Sequence, residues 1–346
     1  MSERAGSSAT PPPAVTFTIP DGPTSKASST FELDIIAAND LTSRANYAYS
    51  CLAGLGLLAG CFLFYSFLVT HRAQRPLARL DRLLGGFCGL QLLLVLLSLH
   101  AVAYRPDYLR ATGLGCAALS FAVNAASLCG LLVLVLMAYV LTQDPPAHAL
   151  LRKPGVCVSL VFLSSLLICL LLAGLRGPHG GLLEEDVCFM DPVKEPYAVA
   201  RLGLAVLVPY ILQLGLLISG CIRQWKSRGC FLHGFEEAPV FLTVTSVMLF
   251  CQLFYGVTLV KDAHLGQEAL GPQERAFLSV AELVLFSGSS ASLVLVPLVH
   301  RPPRASLCSL LQQLRGCCRS PRRSQPSRNI VAPHVEITDT LQDIES

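Results

Sequence analysis

Charged residues are scarce in this 346-residue chain: Asp, Glu, Lys and Arg together make up 14%, where a soluble domain carries roughly a quarter. A water-facing surface cannot be built from so few, and mean hydropathy of +0.56 agrees. That excludes a cytosolic enzyme or a nucleic-acid binder, and a net charge of +3 is too small to mark a polyanion partner. Aspartate is absent from every long apolar run, and the segments between alternate runs hold no Asn-x-Ser/Thr sequon. The first 46 residues, with Pro11-Pro12-Pro13 followed by Ser and Thr, lack the basic start and apolar core of a cleaved signal peptide. The first apolar run must then act as the signal anchor.

What the chain does have is length in its apolar stretches. Crossing about 30 Å of hydrocarbon takes about 20 helical residues, and seven runs meet that need: 47–70, 83–104, 113–142, 155–175, 198–222, 238–260 and 276–300. Leu, Gly and Ala occur throughout them without period-two alternation, which predicts helices and not the strands of an outer-membrane barrel. The expectation is an all-α integral membrane protein, a seven-transmembrane helix bundle. Its parts would be an unstructured amino-terminal tail over 1–46, the bundle over 47–300, an amphipathic helix and lipidation region over 301–318, and an unstructured tail over 319–346. In that eighth, short helix Leu307, Leu310, Leu311 and Leu314 fall on one face, suited to the inner leaflet. Cys317 and Cys318 follow among arginines, a setting for palmitoylation; unmodified cysteines are the plainer alternative.

Basic residues set the sidedness. The first, third and fifth connections hold nine (Arg72, Arg75, Arg79, Arg82, Arg152, Lys153, Arg223, Lys226, Arg228), against six in the others (Arg105, Arg110, Arg176, Lys194, Lys261, Arg275). The carboxyl-terminal region adds more to the first set. The amino terminus is therefore expected outside and the carboxyl terminus inside, in a multi-pass protein of the plasma membrane, with an internal membrane as the alternative. On that topology only Cys116 and Cys188, of fourteen cysteines, lie at the outer rim's loops. They could pair in the oxidising compartment or remain two free thiols, and Cys51 is a competing partner. Most other cysteines sit within helices, where the residue packs as a small apolar group.

These features together resemble the rhodopsin-like, class A, G-protein-coupled receptors over roughly residues 47 to 318. The seven helices, outside amino terminus, disulfide from third helix to loop, amphipathic eighth helix and cysteine pair form that family's outline. Cys188 precedes Pro209 by twenty-one residues, and Pro297 in Leu295-Val296-Pro297-Leu298-Val299-His300 falls where the family has Asn-Pro-x-x-Tyr. Phe250-Cys251-Gln252-Leu253-Phe254 is similar to the sixth-helix Cys-Trp-x-Pro segment, keeping only the cysteine. Departures touch the switch itself. Leu141, twenty-five residues after Cys116, stands where the Asp-Arg-Tyr arginine belongs. Val296 and His300 replace the seventh-helix Asn and Tyr, and Gln91 is the nearest polar residue to the second-helix aspartate of the sodium site. The resemblance implies an orphan receptor that carries an extracellular ligand's signal inward by pivoting about Pro209 and Pro297. A heterotrimeric G protein or arrestin would be its partner inside, with membrane lipids around it and no cofactor. A receptor-like scaffold or regulator that does not couple is the alternative, and a transporter a more distant one.

Ionisable groups inside a bilayer are costly and mark function by default. Arg201, eight residues before Pro209, and Glu282, fifteen before Pro297, are the two that matter. They could grip a charged ligand, or pair with each other for purely structural reasons. Asn124, Gln252 and Tyr255 are further candidates for ligand contact, although amides and phenols in such helices most often bond neighbouring helices. Val123 occupies the position of the aspartate in amine receptors, which argues against a biogenic amine, and the seventh run has no lysine for a retinal Schiff base. Gly56-Leu-Leu-Ala-Gly60 and Gly85-Gly-Phe-Cys-Gly89 have the spacing for close helix approach, expected within the bundle rather than between copies. Enzyme chemistry finds no footing. An intramembrane aspartyl protease needs two aspartates, His100 and Ser289-Ser290 are a chance pair, and the eight histidines form no metal-ligand spacing.

Overall fold

The computed structural model of the chain describes residues 24–72, 79–101, 113–142, 154–176, 183–184, 187–188, 190–228, 238–266 and 271–300. All belong to the first of two compact units, Met1–Arg304. The second is Ala305–Ser346; the amphipathic helix expected from the sequence, and Cys317 and Cys318, fall in it and lie outside the described residues.

Among the described residues, seven helices are long and apolar enough to cross a membrane. We number them α1 (Thr24–Arg72), α2 (Arg79–Leu99), α3 (Gly113–Thr142) and α4 (Pro154–Arg176), then α5, α6 (Ala238–Leu265) and α7 (Pro272–Val299). The helix α5 is composite, with an α-helical entry Glu195–Ala200, a π-helical stretch Arg201–Leu207 and a second α-helical part Val208–Arg228. Between α4 and α5 lies a small antiparallel hairpin, β1 (Leu183–Glu184) and β2 (Val187–Cys188), in which Leu183 faces Cys188. That hairpin is the one departure from an all-α chain among the described residues.

The physical reason for the helices is the solvent. Hydrocarbon offers no hydrogen bonds, so each span must satisfy its own backbone, and the surface it turns outward must be apolar. On α4, Val158, Leu160, Phe162, Leu163, Leu167, Leu170 and Leu171 are all exposed, an apolar belt suited to lipid. The helix α7 is the most enclosed, with Ala281, Leu293 and Val296 fully buried, and α1, α2 and α6 all pack on it. Small residues permit the closest approaches. A Cβ on Gly56 would stand 2.9 Å from the Ser290 Cα, and one on Gly60 would stand 2.9 Å from the Leu92 Cδ1. Gly85 and Gly89 face Phe67 and Phe64. Both glycine motifs thus serve crossings inside the bundle.

Two boundaries differ from the sequence expectation. The helix α1 starts at Thr24, well before Tyr47, so the part of the expected unstructured tail that adjoins the first span is helical. Within it Ala38 is buried, whereas Ile36 and Leu41 are exposed. Arg44 pairs with Asp40 at 2.9 Å one turn away, and Gln273 Nε2 at the start of α7 donates to Asp34 Oδ1 at 2.8 Å. Arg176, expected in an outer loop, is buried in the last turn of α4. The π stretch of α5 also has a local cause. Pro209 has no N–H and its ring crowds the carbonyl one turn earlier. The backbone preceding it widens, and the Val208 N–H reaches back five residues to the Gly203 carbonyl. At the end of α6, Gly266 takes a positive φ of 81° and closes the helix in the left-handed conformation.

Candidate functional site

The chain after β2 turns inward instead of staying on the surface. Met190 and Asp191 are 5% and 2% exposed, and they sit among the ends of four helices at one end of the bundle. Asp191 is the centre. Its Oδ2 lies 2.9 Å from Arg201 Nε on α5 and accepts from the Tyr255 hydroxyl of α6 at 2.9 Å. Its Oδ1 accepts from Asn124 Nδ2 of α3 at 3.0 Å and from the Tyr197 hydroxyl of α5. Arg201, 6% exposed, also directs Nε and Nη2 at Asn124 Oδ1, at 3.4 and 3.3 Å, and stacks 4.6 Å from the Tyr255 ring centroid.

A buried ion pair survives only if its remaining donors and acceptors are satisfied. Here one carboxylate receives four groups from three helices, which meets that condition. Position along α5 matters too: Arg201 opens the π stretch, and Tyr197, one turn earlier, points to the same carboxylate.

Met190 is held as firmly by its backbone. The Ser120 hydroxyl of α3 donates to its carbonyl, and its N–H donates to Glu282 of α7. Arg176 Nη2 donates to Ser120 Oγ at 2.6 Å and its guanidinium lies 5.8 Å from the Tyr197 ring centroid. Lys194 Nζ caps the α4 carboxyl end by donating to the Arg176 carbonyl at 2.9 Å. Glu282 lies within electrostatic reach of both Asp191 and Arg201, and its Oε1 has no hydrogen-bond partner among the described residues.

The structure thus brings Arg201, Asn124 and Tyr255 around one carboxylate, with Glu282 beside them. Arg201 takes its ion pair with Asp191, a loop residue, and not with Glu282. Gln252 lies one turn deeper on α6, where its Nε2 donates to Ser127 Oγ at 3.1 Å, apart from the Asp191 cluster. Sequence reasoning missed Asp191 and Tyr197. Asp191 is one of four acidic residues between α4 and α5, and only its place three residues after Cys188, before Pro192, sets it apart.

Cys116, in the first turn of α3, is buried and disulfide-bonded, whereas Cys51 on α1 is an exposed free thiol. Cys188 has its backbone in β2; its side chain lies outside the described residues.

At the opposite end of the bundle, Leu141 is buried in the last turn of α3. Pro297 lies inside α7, and His300 just beyond that helix places Nε2 3.3 Å from Asp81 Oδ1 in the first turn of α2. Midway, Gln91 is wholly buried, and neither its Nε2 nor its Oε1 has a partner among the described residues.

No protein family's sequence profile matches the chain, and no curated protein matches it. Among solved structures it is similar to squid rhodopsin, at 12% identity over 83% of this chain and 89% of that one, with a TM-score of 0.60. At that identity the likeness is one of architecture, which the seven apolar helices share. The chain folds as a rhodopsin-type bundle of seven membrane-spanning helices.

Proposed function

We propose that this protein is a receptor that carries an extracellular signal across the plasma membrane, with its amino terminus outside. The observation that carries the reading is the Asp191–Arg201 pair, buried with Asn124, Tyr197 and Tyr255 at one end of the bundle. Charge at that depth is costly unless it does something. Arg201, Glu282, Asn124 and Tyr255 form the ligand region on this reading, with Gln252 as its floor. Cys116 pairs with Cys188, which ties the loop bearing Asp191 over that region, and Cys317 and Cys318 carry acyl chains on the inner side.

Signalling proceeds through α5 and α7. The π stretch before Pro209 and the proline within α7 are weak points at which the helices can pivot. The inner connections carrying Arg152 and Arg223 form the face for a G protein or arrestin. The buried Leu141 favours a second reading, a receptor-like scaffold without G-protein coupling, since the charged partner of a G protein is absent from that position.

Basal second-messenger levels, measured with and without expression and beside a Leu141→Arg variant, separate the two. A change in one channel on expression, larger in Leu141→Arg, supports the receptor. Surface expression with no change in any channel for either chain favours the scaffold.

A further inference from the structure

We infer that the outer site of this bundle is a carboxylate-recognition site, and that the chain fills it with its own Asp191 as a tethered ligand. The inference rests on the reading of the Arg201 cluster as the ligand region and says what chemistry that region takes.

The donors carry the argument. Arg201, Asn124, Tyr197 and Tyr255 come from α3, α5 and α6, far apart in sequence, and all four converge on the two oxygens of one carboxylate. None of the three helices needs that carboxylate for its own backbone. The group they enclose belongs to a loop, and it arrives the way a bound dipeptide would. Its side chain is held by the cradle, the Met190 carbonyl by Ser120 and the Met190 N–H by Glu282. Every helix that touches the segment does so through a side chain. The cradle without Asp191 would leave Arg201 as an uncompensated buried cation with two phenols and an amide aimed at an empty place. A planar guanidinium flanked by neutral donors selects a carboxylate over a cation or a neutral amide.

Removing the side chain and supplying it in solution tests this directly. Asp191→Gly deletes the equivalent of one acetate ion. The purified full-length variant, in detergent at constant ionic strength, is melted with acetate, propionate, acetamide or chloride alone. We expect a melting temperature roughly 6 °C or more below the parent, from loss of one partner of a buried pair. Acetate and propionate should restore it in a saturable manner at millimolar concentration, whereas acetamide and chloride should not. Asp191→Gly combined with Arg201→Gln should lose the rescue, and the parent chain should not respond to acetate.

A variant as stable as the parent, or one that acetate and acetamide affect alike, would overturn the inference. Should Asp191→Gly not be recovered folded, Asp191→Asn and Arg201→Gln decide the matter. Each should lower the melting temperature and the pair together should lower it by clearly less than the sum, while additive losses would refute a carboxylate site. The melts are independent of signalling. A protein that shows rescue yet raises no second messenger keeps its carboxylate site and loses only the receptor reading.

Discussion

The crossing of α1 over α7 sets up a controlled comparison within one helix. A Cβ on Gly56 would lie 2.9 Å from both the Cα and the Cβ of Ser290, and 3.1 Å from its hydroxyl. The Ser290 Cα is backbone of the most enclosed helix, so it cannot swing aside as a leucine tip could. Two residues away, Gly54 is exposed and would place its Cβ with nothing within 4 Å. Both substitutions to alanine remove the same conformational freedom, gaining about 0.5–1 kcal/mol of helix preference. That gain cancels between them. What remains is the cost of forcing a methyl into a filled contact, about 1–3 kcal/mol. At roughly 2–4 °C per kcal/mol, Gly56→Ala should melt roughly 2–12 °C below Gly54→Ala. The assay is thermal unfolding in detergent, followed by a thiol-reactive dye that reports exposure of the buried Cys88, Cys169 and Cys251. If Gly56→Ala melts at or above Gly54→Ala, α1 does not cross α7 at this point, and the glycine motif must serve another contact.

Other positions give sharper signs than magnitudes. Gln91→Leu replaces a buried amide with two unpartnered atoms by an apolar side chain of similar size, so stability should be unchanged or higher in a melt. A fall of several degrees would mean that Gln91 holds a partner. In the same assay, exchanging sodium for potassium should leave the parent curve in place. Tyr49→Phe removes the hydroxyl shared with Ser98 while keeping the ring beside Phe286, 6.2 Å between centroids. It should cost at most about 1 kcal/mol, because Ser98 retains the Val95 carbonyl at 2.9 Å. At the other end of the bundle, His300→Ala and Asp81→Ala should each destabilise, and the double variant should be no worse than the worse single one.

The spans were legible because lipid leaves the chain so little choice. Twenty apolar residues in hydrocarbon must be helical, so α2, α3, α4 and α6 follow from hydropathy to within a few residues at most of their ends. The start of α1 did not follow, since residues 24–46 mix polar and apolar side chains in a composition that reads as tail. Pro209 announced an irregular α5, but not that its irregularity lies ahead of the proline as a π stretch with Arg201 at its head. The charged residues inside the bundle could be named from the chain, as Arg201 and Glu282 were. Their partners could not. Asp191 enters the site through a loop that folds back over the helix ends, and beyond its place between Cys188 and Pro192 no local pattern distinguishes it from Glu184, Glu185 or Asp186. Pairings between distant segments depend on how the loop closes, and one sequence holds no trace of that.

An odd number of membrane crossings with the two chain ends on opposite faces underlies everything said of signal and site. Epitope tags fused at Met1 and at Ser346 measure it in cells. Antibody should reach the Met1 tag on intact cells and the Ser346 tag only after permeabilisation; labelling of both tags on intact cells, or of neither, would contradict the account.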